Sequence, residues 1–293
     1  MSVQIPLGPE SRASITNMGD GLSSVADDIA YQRLSIVNCV FHGERGARDW
    51  VLIDTGLATS ANSIKAHAAR RFGAGARPTA IILTHGHFDH VGSAESLARE
   101  WNVPIYAHPF ELPYLDGSAS YPPADPMVGG GLMALLSPLY PRGPVDLRQW
   151  LQALPEDGSV PGMPEWEWLH TPGHAPGHVS LWRERDGALI AGDAVVTTGQ
   201  ESAYEALTLR PEMHGPPRYF TPDWSAARRS VEKLAQLEPR LLVSGHGAAL
   251  AGEEMRQALH RLAADFDGIA RPTTGRYIRD PSTMENGLVY RAP

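Results

Sequence analysis

Apolar and polar positions follow two different periods along this chain, and the switches between them outline its elements. Residues 34–43 (LSIVNCVFHG) and 49–56 (DWVLIDTG) are apolar runs separated by a polar ERGAR stretch, which predicts two strands joined by a hairpin. Asp54 falls at the end of the second. Over 59–72 (TSANSIKAHAARRF) the period changes: Ile64, Ala68 and Phe72 recur every four residues behind Thr59 or Ser60, either of which suits a helix N-cap. A short buried strand is predicted at 80–84 (AIILT), a helix at 93–101 (SAESLAREW) and a strand at 103–108 (VPIYAH). Strand patterns return at 166–170 (WEWLH), 178–182 (HVSLW), 188–193 (ALIAGD) and 240–246 (RLLVSGH), with helices predicted over 223–237 and 251–267.

Strands alternating with helices predict an α/β domain whose functional loops leave the carboxyl ends of strands. A single domain over 1–293 is expected. Residues 109–164 are rich in Pro, Gly, Tyr and Leu without a sustained period and read as an insertion, and the segment from Gly268 onward reads as an extended tail. No repeat of the length used by solenoids or propellers is visible.

Composition then narrows the class. Glycine and proline make up 54 of 293 residues, about 18% against a usual value near 12%, so loops are prominent. No apolar run approaches the roughly 20 residues that cross a bilayer. The N-terminus MSVQIPLGPESR carries no basic and apolar leader pattern, so a cytoplasmic location is the expectation. Cys39 is the one cysteine, which excludes an internal disulfide, Cys-rich zinc modules and all-Cys iron–sulfur ligation. A net charge of −8 without long basic runs makes nucleic acid a poor partner. There are 12 histidines, and any metal must be held by imidazole and carboxylate.

Those histidines are not scattered evenly. In His85-Gly86-His87-Phe88-Asp89-His90, three imidazoles and a carboxylate crowd the end of an apolar strand. Polar groups at a core strand's edge cost desolvation unless something pairs with them, and a bound dication is such a partner. Asp193 and His246 each end an apolar run beside glycine, and His174 and His178 both qualify by spacing in TPGHAPGH. With one of that pair, the set supplies seven N/O ligands, enough for two zinc sites.

THGHFDHVG followed by single His, Asp and His residues resembles the metallo-β-lactamase superfamily of binuclear hydrolases, and LIDTG at 52–56 fits its leading strands. The resemblance implies a four-layer αββα sandwich with the site along one edge of its sheets. It implies that His85, His87 and His174, the histidine directly after Pro172-Gly173, hold one metal, that Asp89, His90 and His246 hold a second, and that Asp193 bridges them. The metals expected are two Zn2+, with iron or manganese as substitutes. Asp54 is expected to orient a ligand from behind rather than touch metal.

Within the superfamily, lactamases place Cys or no direct ligand where this chain has Asp193, whereas glyoxalase II enzymes, lactonases and phosphodiesterases use a bridging Asp. Acyl-homoserine lactonases carry a tyrosine where this chain has Val196, and glyoxalase II enzymes a third histidine where it has Gly86. Transfer-RNA-processing relatives bring a basic arm, but 109–164 holds only Arg142 and Arg148. The expected activity is cleavage of an ester, thioester or lactone of a small molecule by a metal-bridging hydroxide, with Asp89 as proton acceptor. The alternatives are a metal-bearing regulatory protein without turnover and an iron-dependent enzyme similar to persulfide dioxygenases. Tyr114, Tyr121, Leu135, Tyr219, Phe220 and Trp224 are candidates for pocket walls, and a homodimer is left open.

Overall fold

The computed structural model describes residues 5–129, 131–199 and 210–282. Two sheets stack face to face. The first has seven strands in sequence order: β1 (Ser23–Ala26), β2 (Ile29–Leu34), β3 (Val37–His42), β4 (Val51–Ile53), β5 (Ala80–Ile82), β6 (Ile105–Ala107) and β7 (Leu151–Ala153). It is antiparallel through β4 and parallel from there on. The second runs from β8 (Ser159–Val160) through β9 (Met163–His170), β10 (Val179–Arg183), β11 (Ala188–Gly192) and β12 (Leu241–Ser244) to β13 (Leu250–Ala251), with only β11 and β12 parallel.

Because successive side chains on a strand point to opposite faces, each buried strand feeds two cores. Val51 and Ile53 face the second sheet while Leu52 faces outward, and Ala80 and Ile82 oppose Ile81 in the same way. On the second sheet Ala188, Ile190 and Val243 point inward and Leu189, Ala191 and Leu242 outward. Helices α1 (Ala61–Phe72) and α2 (Ala94–Trp101) cover the outer face of the first sheet through Ile64, Ala68, Leu97 and Ala98. Helices α3 (Trp224–Gln236) and α4 (Gly252–Ala264) cover the second through Val231, Leu234, Leu259 and Leu262. This is the αββα sandwich.

Strand–helix units fall within three residues of their predicted ends, but Ser60 makes no side-chain cap on α1. Between 109 and 150 the chain forms short helical turns, including Leu112–Leu115 and Leu132–Leu136, after which β7 and β8 add an edge strand to each sheet. Of the tail, Phe266–Ile269 and Arg276–Arg279 are single helical turns rather than extended chain, and 283–293 lie outside the described residues.

Candidate metal centre

Parallel order at β4–β5 and at β11–β12 sends the chain out at one rim, and the loop between β9 and β10 closes onto the same rim. Asp54 follows β4, His85–His90 follow β5, Asp193 follows β11, His246 follows β12, and His174 lies in the β9–β10 loop. The two sheets are tied there by backbone: Val179 N donates to Thr84 O at 2.9 Å, and Asn38 N on β3 donates to Gly245 O at 2.7 Å. The Asn38 amide also donates to Ser244 O and Gly247 O, fixing the loop that carries His246.

Three groups of ligand atoms converge: His85 with His87 and His174, His85 with His90 and Asp193, and Asp89 with His90 and His246, each set within 4.8 Å. His87 Nδ1 lies 2.8 Å from His174 Nε2. The Asp193 carboxylate stands between the outer groups, with Oδ2 3.4 Å from His174 Nε2 and 3.1 Å from His246 Nε2. Its Oδ1 is 3.5 Å from His90 Nε2. Asp89 Oδ2 is 3.6 Å from His246 Nε2. A Cβ at Gly245 would fall 2.0 Å from Asp193 Oδ1, so only glycine lets the His246 loop pass this close.

The electrostatics divide the site in two. Burial, followed by the surrounding imidazoles, holds His85 and His174 well below the ordinary histidine range and His87 at about 3, so these rings are neutral and present lone pairs. Burial also opposes charge on His90 and His246, but the carboxylates beside them, Asp193 and Asp54 at His90 and Asp193 and Asp89 at His246, together outweigh it and raise both. Asp193 itself is held well below the carboxylate range because His246 and His90 overcome its burial. His85 Nε2, His90 Nε2 and Asp193 Oδ1 are buried and have no hydrogen-bond partner. Buried polar atoms are almost always paired, and three such atoms aimed at one another fit a divalent cation with imidazole and carboxylate ligands.

Around these atoms stands a layer of orienting groups. Asp54, held at a positive φ of 59°, accepts from Thr84 N and Thr84 Oγ1 at 2.8 Å and sits 2.8 Å from His90 Nδ1. His85 Nδ1 lies 3.1 Å from Thr84 Oγ1, and His246 Nδ1 lies 2.6 Å from Ile36 O. Anchoring the far ring nitrogen in this way fixes which nitrogen faces the metal. His178 has no nitrogen to spare: Nε2 accepts from Asp193 N at 2.8 Å and Nδ1 is 2.9 Å from Thr171 Oγ1. It holds the backbone of Asp193, and His174 is the histidine in the cluster.

The aromatic candidates divide. Phe220 stacks on His87 with centroids 4.8 Å apart, and with Tyr121, Pro122, Pro123, Pro222 and Tyr277 it lines a narrow cleft at His87 and His174. Tyr219 packs behind Phe220, and Tyr114 is buried behind Tyr121. Trp224 is not at the cleft: it opens α3 and packs against Phe266 in the outer core, because its place on the apolar stripe of α3 points it into the body. Leu135 faces solvent. His178, a ligand candidate by spacing, serves instead as a backbone anchor, and one buried residue at the centre has no counterpart among the sequence candidates: Glu111, whose carboxyl burial raises to about 7 against hydrogen bonds from Tyr121, Gly177 and Gly86. HPFELPY gives a period-based reading no reason to single out Glu111.

A sandwich with a His/Asp cluster on its rim defines a metallohydrolase-type protein, and sequence comparison places it further. Residues 33–246 match the metallo-beta-lactamase superfamily, and the chain belongs to that family. It is 51% identical over 220 residues to "Probable metallo-hydrolase YflN" of Bacillus subtilis (strain 168), covering 75% of this chain and 83% of that one. To "Probable metallo-hydrolase YybB" of the same organism it is 31% identical over 206 residues, 70% of this chain and 79% of the relative. Among solved structures, TTHA1623 in a di-iron-bound form shares 25% identity at a TM-score of 0.50, over 75% of this chain and 92% of that one. A beta-lactamase domain protein from Burkholderia ambifaria shares 21% at a TM-score of 0.58, over 90% and 77%.

Proposed function

We propose that this protein is a binuclear metal-dependent hydrolase that cleaves an ester, thioester or lactone bond of a small molecule. The observation that carries this reading is the convergence of orphaned, buried ligand atoms on His85, His90 and Asp193 beneath a cleft lined by aromatic, proline and imidazole groups. His85, His87 and His174 would hold one ion and Asp89, His90 and His246 the other, with Asp193 between them. When bound, the ions supply Lewis acidity and make water a nucleophile near neutral pH.

The remaining work belongs to the chain. Phe220 and Tyr121 flank His87 and give the acyl group an apolar wall that excludes bulk water. Asp89 Oδ2, next to His246, accepts the proton released as water attacks. Asp54 and Thr84 keep His90 and His85 from rotating. Among the described residues the cleft lining includes no Lys or Arg to grip a phosphodiester, and an aspartate stands where the bridging ligand would lie, which favours a carboxylic substrate over a phosphodiester or a β-lactam.

The metal is less narrowly defined than the site, since imidazole and carboxylate ligands discriminate weakly among zinc, iron and manganese. The di-iron form of TTHA1623 supports testing iron beside zinc. Protein reconstituted separately with each metal is assayed on aryl esters, thioesters, lactones, phosphodiesters and β-lactams. The highest kcat/KM is expected on a carboxylic ester, thioester or lactone. A phosphodiester or penicillin at the top of the ranking overturns the substrate class, and turnover of none of them with two metals bound overturns the hydrolase reading.

A further inference from the structure

Glu111 is fully buried and takes no part in the chemistry above, yet it joins two ligand-bearing loops. Its Oε2 accepts from Gly86 N at 2.9 Å and from the Tyr121 hydroxyl, and its Oε1 accepts from Gly177 N at 2.7 Å. Gly86 separates His85 from His87, and Gly177 lies three residues beyond His174. One carboxylate therefore spans the backbones of the two loops that supply the His85, His87 and His174 group. Gly86 N is also 2.9 Å from the Tyr121 hydroxyl, and the Tyr121 ring packs 4.4 Å from the His87 ring and 4.0 Å from that of Tyr114.

Both glycines are shaped to this arrangement. A Cβ at Gly86 would lie 2.7 Å from the Tyr121 hydroxyl and 2.9 Å from Leu115 Cδ2. At Gly177 it would lie 2.8 Å from Glu111 N and 2.9 Å from Glu111 Cγ. A side chain at either position would push Glu111 and Tyr121 away from the amides they hold. Asp54 orients ligands of the site by gripping Thr84 and His90, whereas Glu111 grips backbone on both sides of one ligand triplet and touches none of the Asp89, His90 and His246 group.

We propose that Glu111, assisted by Tyr121, is a positioning residue that sets the spacing of His85, His87 and His174 and hence the metal affinity of that group alone. This rests on the metal-ligand reading above but not on any substrate. The test titrates metal-free protein with Zn2+ against a chromophoric chelator for the wild type, Glu111→Gln and Tyr121→Phe, with thermal unfolding of each metal-free variant as a fold control. Glu111→Gln preserves shape but turns an NH2 toward one of the two amides. It should weaken one of two zinc sites about 10–100-fold, the range for groups that orient ligands from behind, and leave the other unchanged. Tyr121→Phe should weaken the same site less.

In a His246→Ala background, which removes a ligand of the other group, the Glu111→Gln loss should persist. Equal weakening of both sites, unchanged affinity despite a lower melting temperature, or disappearance of the effect beside His246→Ala overturns the proposal. Wild type that takes up fewer than two zinc ions overturns the ligand reading beneath it, and that result is distinct from any variant effect. If Glu111→Gln does not fold, Tyr121→Phe alone decides, and an unaltered zinc titration for it counts against the proposal.

Discussion

Two of the regions in which the molecule buries polar groups treat them in opposite ways. Beneath the first sheet, Arg71 is 1% exposed and every donor of its guanidinium is used: Asp20 and Ser24 at Nη1, Asp27 O and Gly43 O at Nη2, and Gly43 O again at Nε. At the rim, His85, His90 and Asp193 are equally buried, but each keeps an atom without a hydrogen-bond partner, and those atoms face one another. A satisfied buried ion is a fastener between chain segments, since its cost is offset within the protein. Unsatisfied buried atoms that converge leave that offset to something from outside. The same burial thus marks structure in one region and a binding site in the other.

Substituting the fastener should produce the larger loss of folding stability. Arg71→Met leaves Asp20 Oδ2 and the Asp27 and Gly43 carbonyls without their Arg71 donors, with only Leu22 N still on Asp20 Oδ1, and breaking one side of a buried pair costs about 3–5 kcal/mol. Urea unfolding of the metal-free protein should show it, while zinc affinity of the folded fraction stays as in the wild type. A loss below about 1 kcal/mol, the range of exposed ion pairs, would mean that the Arg71 network is dispensable and that the contrast fails.

His85→Ala should reverse the pattern. Its Nε2 has no partner to orphan, so metal-free stability should fall by about 1 kcal/mol, typical of point substitutions. Because His85 belongs to two of the three ligand groups, zinc binding should weaken by at least the upper end of the 10–100-fold range known for groups that merely support ligands. Turnover should fall with it. Zinc uptake like that of the wild type would show that the converging atoms are not ligands.

This contrast also explains what could be read from the sequence. The ligand candidates were legible because polar residues at the end of an apolar strand break a pattern, and HGHFDH, GD and GH each do so where a strand stops. Asp54 was legible for the same reason. Glu111 was not, and His178 was legible only as a rival ligand to His174, because both act on the amides of Gly86, Gly177 and Asp193, and backbone amides have no letter in the sequence. Trp224 misled because an aromatic in a Pro-rich stretch reads alike whether it lines a cleft or begins a helix's buried stripe. The layered fold followed from alternating elements, but β7 and β8, three and two residues long, are too short to show a period. The hairpin β1–β2, outside the strand predictions, brings Asp28 to β10.

Asp28 gives the smallest and most pH-specific test. It is a fastener at the edge of the first sheet, paired with the nearly buried Arg183 of β10, which also holds Asp186 and lies over the Trp166 ring at 4.7 Å. Burial works against the ionised form of Asp28, but hydrogen bonds from His42 and Arg183 outweigh it and hold the carboxyl well below the usual carboxylate range. A carboxyl whose pKa is depressed by folding contributes stability that is complete above its unfolded value, roughly 3.9, and that disappears as pH falls toward the folded value. Asp28→Asn should therefore cost about 1.5 kcal/mol at pH 7, the lower end for hydrogen bonds to charged groups because Asp28 is partly exposed. The difference from the wild type should hold from pH 7 down to about 5 and then shrink as pH falls further below 4. Denaturant melts of the two metal-free proteins across that range measure it. A difference that persists unchanged into acid would mean that Asp28 stabilises by shape rather than by charge, and it would remove this edge of the molecule from the class of satisfied ionic fasteners to which Arg71 belongs.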